Sequence, residues 1–257
     1  MLKVVDHGRG KPLLLVHGLG SSGHAWEPVL PPLAEARRVV AIDLPAHGGS
    51  PAQADSGTFQ GLVRSVVAWM ESTGMTGIDM VGSSMGARIV LELARRGLAG
   101  NVVALDPGGF WEGWERQFTV ATLTASRTLV RGLRPALPTL AGSAASRSLL
   151  LAQLSARPWA LDGDFVAEEL RGLANTPTVP SLIKDLGYGP RQEGVAATRG
   201  RLAIGWGRHD RLCLPAQAER AAKRFPSARL HWFEHSGHFP LWDEPAETVK
   251  LIADVCG

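Results

Sequence analysis

Short apolar runs alternate along this chain with alanine-rich stretches of helical periodicity, and this alternation limits the possible folds most strongly. The runs occur at residues 13–16, 39–42, 78–81, 102–105, 202–206 and 230–233. Helix-like stretches lie between them, notably at 60–71, 87–96 and 216–224. Continuously apolar strands separated by helices are typical of a parallel sheet with helices on both faces. We therefore predict an α/β fold with a mostly parallel sheet.

The alternation of strand and helix breaks down in one long segment. Residues 107–199 contain no convincing strand, and prolines at 135, 138, 158, 177, 180 and 190 divide them into short pieces. Because a structureless loop of this length is uncommon in a compact domain, we interpret the segment as a helical insertion. We expect residues 1–106 and 200–257 to form the core, with 107–199 as a helical cap inserted between late strands.

A G-x-S-x-G pattern spans residues 82–86, with Ser84 in the middle. It directly follows one predicted strand and precedes a predicted helix. This context is typical of a nucleophile elbow, a sharp turn that needs small residues two positions either side of the serine. The helix N-terminus behind the turn favours developing negative charge. The pattern predicts Ser84, rather than its neighbour Ser83, as an attacking nucleophile.

A serine hydroxyl is a poor nucleophile until a base takes its proton. His238 lies in a loop marked by glycine and proline after the last predicted strand, and it follows the nucleophile in the chain. His231 belongs to that strand, and His235 precedes the turn. His7, His24, His47 and His209 are explained more simply as loop or turn residues. We predict His238 as the base.

The base needs a carboxylate that fixes its orientation. Asp210 closely follows the predicted strand at 202–206, while Asp106 directly ends the strand at 102–105. Both would lie at the carboxyl edge of the sheet, where sites of open α/β sheets are built. We favour Asp210 and interpret Asp106 as a cap at the start of the insertion, with Asp106 as the alternative acid.

The tetrahedral intermediate of acyl transfer needs hydrogen-bond donors for its oxyanion. One donor is expected from the backbone N–H of Met85, immediately after the nucleophile. The second is expected from the loop after an early strand, His17-Gly18-Leu19-Gly20, where Leu19 would offer its N–H.

Together these segments resemble the α/β-hydrolase family, in its capped esterase, lipase and haloperoxidase-like branch. The resemblance covers almost the whole chain and includes the turn at residues 43–50, which we expect to be structural. Two positions depart from the family pattern, since Ala46 and Ala87 stand where relatives usually or often have glycine. The resemblance implies a Ser84–His238–Asp210 triad that works through an acyl-enzyme.

Composition narrows the partners and the compartment. The net charge is +3, the basic residues are dispersed, and no nucleic-acid-binding signature occurs, so we expect no nucleic-acid partner. No apolar run reaches the roughly 18 residues that span a bilayer, which argues against membrane insertion. The N-terminal residues do not resemble a secretory signal, and the only cysteines are Cys213 and Cys256. We expect a cytoplasmic protein without a metal or other cofactor.

The sequence says less about the identity of the substrate than about the type of reaction. Six arginines and no acidic residue occur from Arg116 to Arg157, consistent with either a solvated helical surface or a cationic rim. We assign Trp111, Trp159 and Phe239 to a pocket for a small-molecule ester with a small to medium acyl chain. The same triad would also serve C–C hydrolysis of dienoate-type diketones, lactone opening or perhydrolysis. A non-catalytic ligand-binding protein on this scaffold is the alternative of another class.

Overall fold

Seven strands form one sheet in the computed structural model, which describes residues 1–257. They are β1 (Val4–His7), β2 (Pro12–Val16), β3 (Arg38–Ile42), β4 (Asp79–Ser83), β5 (Val102–Leu105), β6 (Leu202–Gly207) and β7 (Ala228–Phe233). Their order across the sheet is β1-β3-β2-β4-β5-β6-β7, and only β1 runs antiparallel to its neighbour. The predicted α/β class with a mostly parallel sheet is confirmed.

All six predicted strands are present, whereas β1 was not predicted from the sequence. β1 pairs only with β3, and three of its four residues are exposed. An edge strand of this kind needs few apolar side chains, and Val4 and Val5 are its only two. Its sequence therefore lacks the continuous apolar run that marks the buried strands.

Helices cover both faces of the sheet. In chain order they are α1 (Leu30–Ala36), α2 (Phe59–Thr73), α3 (Met85–Arg95), α4 (Glu115–Gly132), α5 (Leu137–Gly142), α6 (Ala144–Leu150), α7 (Gly163–Asn175), α8 (Val179–Tyr188), α9 (Ala216–Arg224), α10 (Pro240–Asp243) and α11 (Pro245–Cys256). Successive strand residues point to opposite faces. Leu14 thus packs in the core with α2, α3 and α9, whereas Leu13 packs with α1 and α11.

Residues 107–199, called the insertion from here on, contain five helices and no strand. The helices α4 to α8 lie in it, and α4 packs against both α7 and α8. It leaves the sheet after β5 and returns to it at β6. No helix of the chain combines the length and apolar character needed to cross a membrane.

The turn after β3 is held together by Asp43. Its carboxylate oxygens accept hydrogen bonds from the backbone N–H of Gly23 at 2.7 Å and of Gly49 at 2.8 Å. The Ser50 hydroxyl donates to the Asp43 carbonyl at 2.6 Å. Ala46 adopts a φ of 63°, in the left-handed region that favours glycine, which accounts for the glycine of related sequences here. The contacts of Asp43 fit the structural role expected for the turn at residues 43–50.

Replacing Asp43 with alanine is expected to lower the free energy of unfolding by about 2–4 kcal/mol, because two backbone N–H groups lose their acceptor. Urea denaturation followed by circular dichroism measures the loss. Asp6→Asn is the control, because Asp6 pairs with Arg38 on the surface, where ion pairs contribute little. Equal losses in the two variants would contradict the structural role of Asp43.

Candidate active site

Ser84 lies at the turn between β4 and α3. Its φ of 55° lies in the left-handed region, and its backbone N–H donates to the Leu105 carbonyl at 2.9 Å. A side chain on Gly82 would lie 2.3 Å from the Gly86 carbonyl oxygen, and one on Gly86 would lie 2.0 Å from the Val16 carbonyl oxygen. Only glycine therefore fits the two flanking positions, and the predicted elbow geometry is present at Ser84.

A continuous hydrogen-bonded chain joins the three predicted triad residues. The Oγ of Ser84 lies 2.8 Å from Nε2 of His238, and Nδ1 of His238 lies 2.8 Å from Oδ2 of Asp210. His238 and Asp210 are both buried. In the resting arrangement, Nδ1–H donates to the carboxylate, which leaves Nε2 free to accept the serine proton.

The structure brings Asp210, and not Asp106, to the histidine. The second carboxylate oxygen of Asp210 accepts hydrogen bonds from the N–H groups of Leu212 at 2.8 Å and Cys213 at 2.9 Å. Asp106 is fully buried, accepts from the Gly207 N–H at 2.9 Å and has no donor for its other oxygen. Burial, aided by the negative charge of Asp210, raises the pKa of Asp106 well above its usual value.

The loop of His238 is held by the insertion as well as by the core. The backbone N–H of His238 donates to the Leu154 carbonyl at 2.9 Å. One carboxylate oxygen of Asp243 accepts from the N–H groups of both Gly237 and Ala156, each at 2.8 Å. The insertion thereby shares in fixing the position of the imidazole.

The two residues predicted to supply the oxyanion donors, Leu19 and Met85, both line the cavity beside Ser84. Neither Leu19 nor Met85 donates its backbone N–H within the protein. Gly18 brings the Leu19 loop against the nucleophile, because a Cβ on Gly18 would lie 3.2 Å from that of Ser84. These two amides are therefore available to an oxygen bound beside Ser84.

His17 fixes this loop rather than taking part in proton transfer. Its Nε2 accepts from the Leu44 N–H at 2.9 Å, and its Nδ1–H donates to the Gly18 carbonyl at 2.7 Å. Burial and the nearby ring of His47 lower the pKa of His17 to about 3. The neutral imidazole thus links the ends of β2 and β3.

The Ser84 side chain lies in a cavity that is partly open to solvent. Its lining is mainly apolar and comes largely from the insertion, which contributes Trp111, Leu123, Leu154, Leu173 and Leu186. The predicted pocket residues Trp111 and Phe239 both line it. The lining also contains one cation that sequence reasoning missed, Arg88 of α3. Its spacing of four residues from Ser84 is the signal that could have found it.

The prediction for Trp159 is wrong. Its side chain is 56% exposed and lines a separate surface cleft with His209 and Arg211. The carbonyls of Pro158 and Trp159 accept hydrogen bonds from the buried guanidinium of Arg147, which fastens this turn to α6. Trp159 therefore does not line the Ser84 cavity.

The arginine-rich part of the insertion is partly structural. Arg147 also donates to the Ala141 carbonyl at 2.6 Å, and Arg116 donates to the Leu186 carbonyl at 2.7 Å. These two side chains therefore connect elements of the insertion to one another.

Three groups of the site have the chemistry of metal ligands. One ligand atom from each of Asp210, Cys213 and His238 falls within 4.8 Å of the others. Asp210 and His238 already hydrogen-bond each other, and burial raises the pKa of the Cys213 thiol well above its usual value. Because metal ions bind the thiolate, this arrangement favours the hydrogen-bonded triad.

Residues 13–251 match the model of the alpha/beta hydrolase family. The chain belongs to this family. This chain is 30% identical over 254 residues to the dihydrolipoyllysine-residue acetyltransferase component of an acetoin cleaving system in Cupriavidus necator. That alignment covers 95% of the chain but only 63% of the relative.

Two further comparisons cover nearly the whole α/β hydrolase. It is 26% identical to 2-hydroxy-6-oxo-6-phenylhexa-2,4-dienoate hydrolase of Burkholderia cepacia, over 97% of the chain and 88% of the relative. A thermophilic esterase from Thermogutta terrifontis superposes with a TM-score of 0.76 at 18% identity, covering 98% of the chain and 92% of the esterase. The likeness to the esterase structure shows the fold. The match to the family model confirms the resemblance to the α/β-hydrolase family.

Glu169 of α7 ties the insertion to the loop that follows β2. Its carboxylate accepts from the Ser21 hydroxyl at 2.7 Å and from Nδ1 of His24 at 3.1 Å. The hydrogen bond that His24 donates to Glu169, together with the negative charge of that carboxylate, raises the pKa of His24. The stabilisation from this pair is present below about pH 6.5, the ordinary pKa of histidine, and is lost as the pH rises through the raised pKa.

The His24→Asn variant is therefore expected to be less stable than the wild type at pH 5.5, with the gap narrowing as the pH rises to 9. Urea unfolding at a series of pH values measures the difference. Glu169→Gln should flatten the same pH dependence, because it removes the charge that His24 meets. A gap that is constant with pH would contradict the ionic contribution.

Proposed function

We propose that this α/β hydrolase cleaves carboxylic esters of small to medium acyl chains by way of an acyl-enzyme on Ser84. The observation that carries the proposal is the unbroken chain of hydrogen bonds from Asp210 through His238 to Ser84. The mainly apolar cavity beside Ser84 suits an acyl chain of this size.

Acylation begins when Nε2 of His238 takes the Ser84 proton as Oγ attacks the ester carbonyl carbon. The carbonyl oxygen becomes an oxyanion that accepts hydrogen bonds from the Leu19 and Met85 amides. The intermediate then expels the alcohol, which takes the proton from His238, and the acyl group stays on Ser84. Asp210 stabilises the imidazolium throughout.

Deacylation repeats these steps with water in place of serine. His238 removes a proton from water as its oxygen attacks the acyl carbon. The second tetrahedral intermediate breaks its bond to Oγ, releases the carboxylic acid and returns the proton from His238 to Ser84.

Cleavage of a C–C bond in a dienoate-type diketone is the second candidate. The specific observation in its favour is the Burkholderia cepacia relative, a dienoate hydrolase that aligns along nearly the whole chain. Turnover of p-nitrophenyl butyrate without turnover of a 2-hydroxy-6-oxo-dienoate supports the esterase. The opposite result supports the C–C hydrolase, and a lactone and a peracid assay test the remaining chemistries.

Ser84→Ala is expected to abolish labelling by a fluorophosphonate, because the reagent needs the activated oxygen. Intact-mass spectrometry of the treated protein measures labelling. Ser83→Ala is the matched control, since the Ser83 hydroxyl is buried without a hydrogen-bond partner and its loss leaves the elbow intact. A labelled Ser84→Ala protein would contradict the assignment, and an unlabelled wild type would favour a ligand-binding protein.

Asp210→Asn is expected to lower kcat by roughly 10³–10⁴-fold, the scale of the corresponding change in a serine protease, because the amide favours the wrong imidazole tautomer. Asp106→Asn should change kcat less than threefold, since Asp106 bonds to the Gly207 N–H and makes no hydrogen bond with His238. Steady-state hydrolysis of p-nitrophenyl butyrate measures both. The reverse ranking would make Asp106 the acid.

A further inference from the structure

Arg88 is buried in the wall of the cavity that contains Ser84. It lies on α3, four positions after Ser84, and both residues line this cavity. Arg88 is only 2% exposed. The only other basic side chain in the lining is that of His238, and most of the remaining side chains are apolar.

The guanidinium of Arg88 is firmly placed but only partly satisfied. Its Cζ stacks 3.9 Å from the centre of the Phe59 ring. Nη2 donates to the Pro190 carbonyl at 2.6 Å, and Nε makes a long contact of 3.4 Å with the Gln192 side chain. Nη1 has no acceptor in the protein, although a guanidinium carries five N–H donors.

No carboxylate lies within 4.0 Å of this buried cation. Asp185 and Glu92 favour its charge from further away, and Arg116 opposes it. Asp185 accepts from the Phe59 N–H, and Glu92 pairs with Arg95. Burial lowers the pKa of Arg88 to about 10, so the group is still a cation at neutral pH. A buried charge without a counter-ion costs free energy, which a bound anion would offset.

A second residue of the cavity lining carries a donor without a partner. The indole N–H of Trp111 is buried and has no acceptor in the protein, and Trp111 is 2% exposed. Two unsatisfied donors, one of them charged, in a mainly apolar cavity favour an anionic acceptor. A carboxylate suits the planar fork of arginine, because it accepts two parallel hydrogen bonds.

We propose that Arg88 binds a carboxylate of the substrate, which makes the preferred substrate an ester that also carries a free carboxylate. Arg88 is a substrate-binding residue in this scheme and takes no part in proton transfer. Both residues line the same cavity, so the ester carbonyl and the carboxylate belong to one substrate molecule and are separated by an aliphatic spacer. The inference rests on the proposed esterase function and narrows its substrate class.

The test compares anionic esters with neutral esters of the same skeleton. Monomethyl adipate carries the carboxylate on the acyl side, and 4-acetoxybutanoate carries it on the alcohol side. Dimethyl adipate and methyl 4-acetoxybutanoate are their neutral counterparts. The wild type should show a higher kcat/KM for at least one anionic ester, and Arg88→Gln should lower that anionic-to-neutral ratio at least tenfold, mainly through KM.

Arg95→Gln is the matched control, because Arg95 lies on the same helix, pairs with Glu92 and does not line the cavity. It should leave the ratio unchanged. Trp111→Phe should lower the ratio about threefold, since it removes only the uncharged donor. Arg88→Lys keeps the positive charge but lacks the paired N–H donors of the guanidinium. Its anionic-to-neutral ratio of kcat/KM should fall between those of the wild type and Arg88→Gln.

A measurement on the wild type alone covers the case in which Arg88→Gln does not fold. Adipamate, with one carboxylate, should inhibit neutral-ester hydrolysis at least tenfold more strongly than adipamide. Equal inhibition by adipamate and adipamide would overturn the role of Arg88. An unchanged anionic-to-neutral ratio of kcat/KM in folded Arg88→Gln would do the same. In either case, fluorophosphonate labelling of Ser84 would still support the proposed esterase function. Absence of both labelling and ester turnover in the wild type would instead overturn the proposed function.

Discussion

The close approach of two backbone segments at Gly86 is the constraint on which the site depends. The first turn of α3 lies directly against the end of β2, so that a side chain on Gly86 would meet the Val16 carbonyl oxygen. Because the Leu19 loop begins where β2 ends, this contact holds that loop close to the start of α3. Packing of the helix on the sheet thus sets the spacing between the proposed nucleophile and the two proposed oxyanion donors.

Much of the core could be predicted because its signals are local. The buried strands are continuous apolar runs, and the elbow combines two glycines with a strand before it and a helix after it. Asp210 and His238 each follow a strand, and the parallel sheet carries the ends of its strands to one edge. The sheet was therefore predictable except for β1, which has too little apolar surface to stand out.

The cavity was less predictable because contacts between distant residues shape it. Glu169 meets Ser21 across 148 positions of the chain, and such pairs decide where the helices of the insertion lie. Trp111 and Trp159 are both aromatic residues of the insertion, yet only Trp111 lines the cavity. Arg88 is only four positions from Ser84 in the chain, but its lack of a counter-ion is visible only in three dimensions.

The insertion lines the cavity and also helps to position the base, because the backbone N–H of His238 donates a hydrogen bond to the Leu154 carbonyl. Movement of the insertion away from the sheet would break this bond and the link from Ala156 to Asp243. An open arrangement would therefore hold the imidazole less firmly. The position of the insertion and the orientation of the imidazole are therefore linked through these two hydrogen bonds.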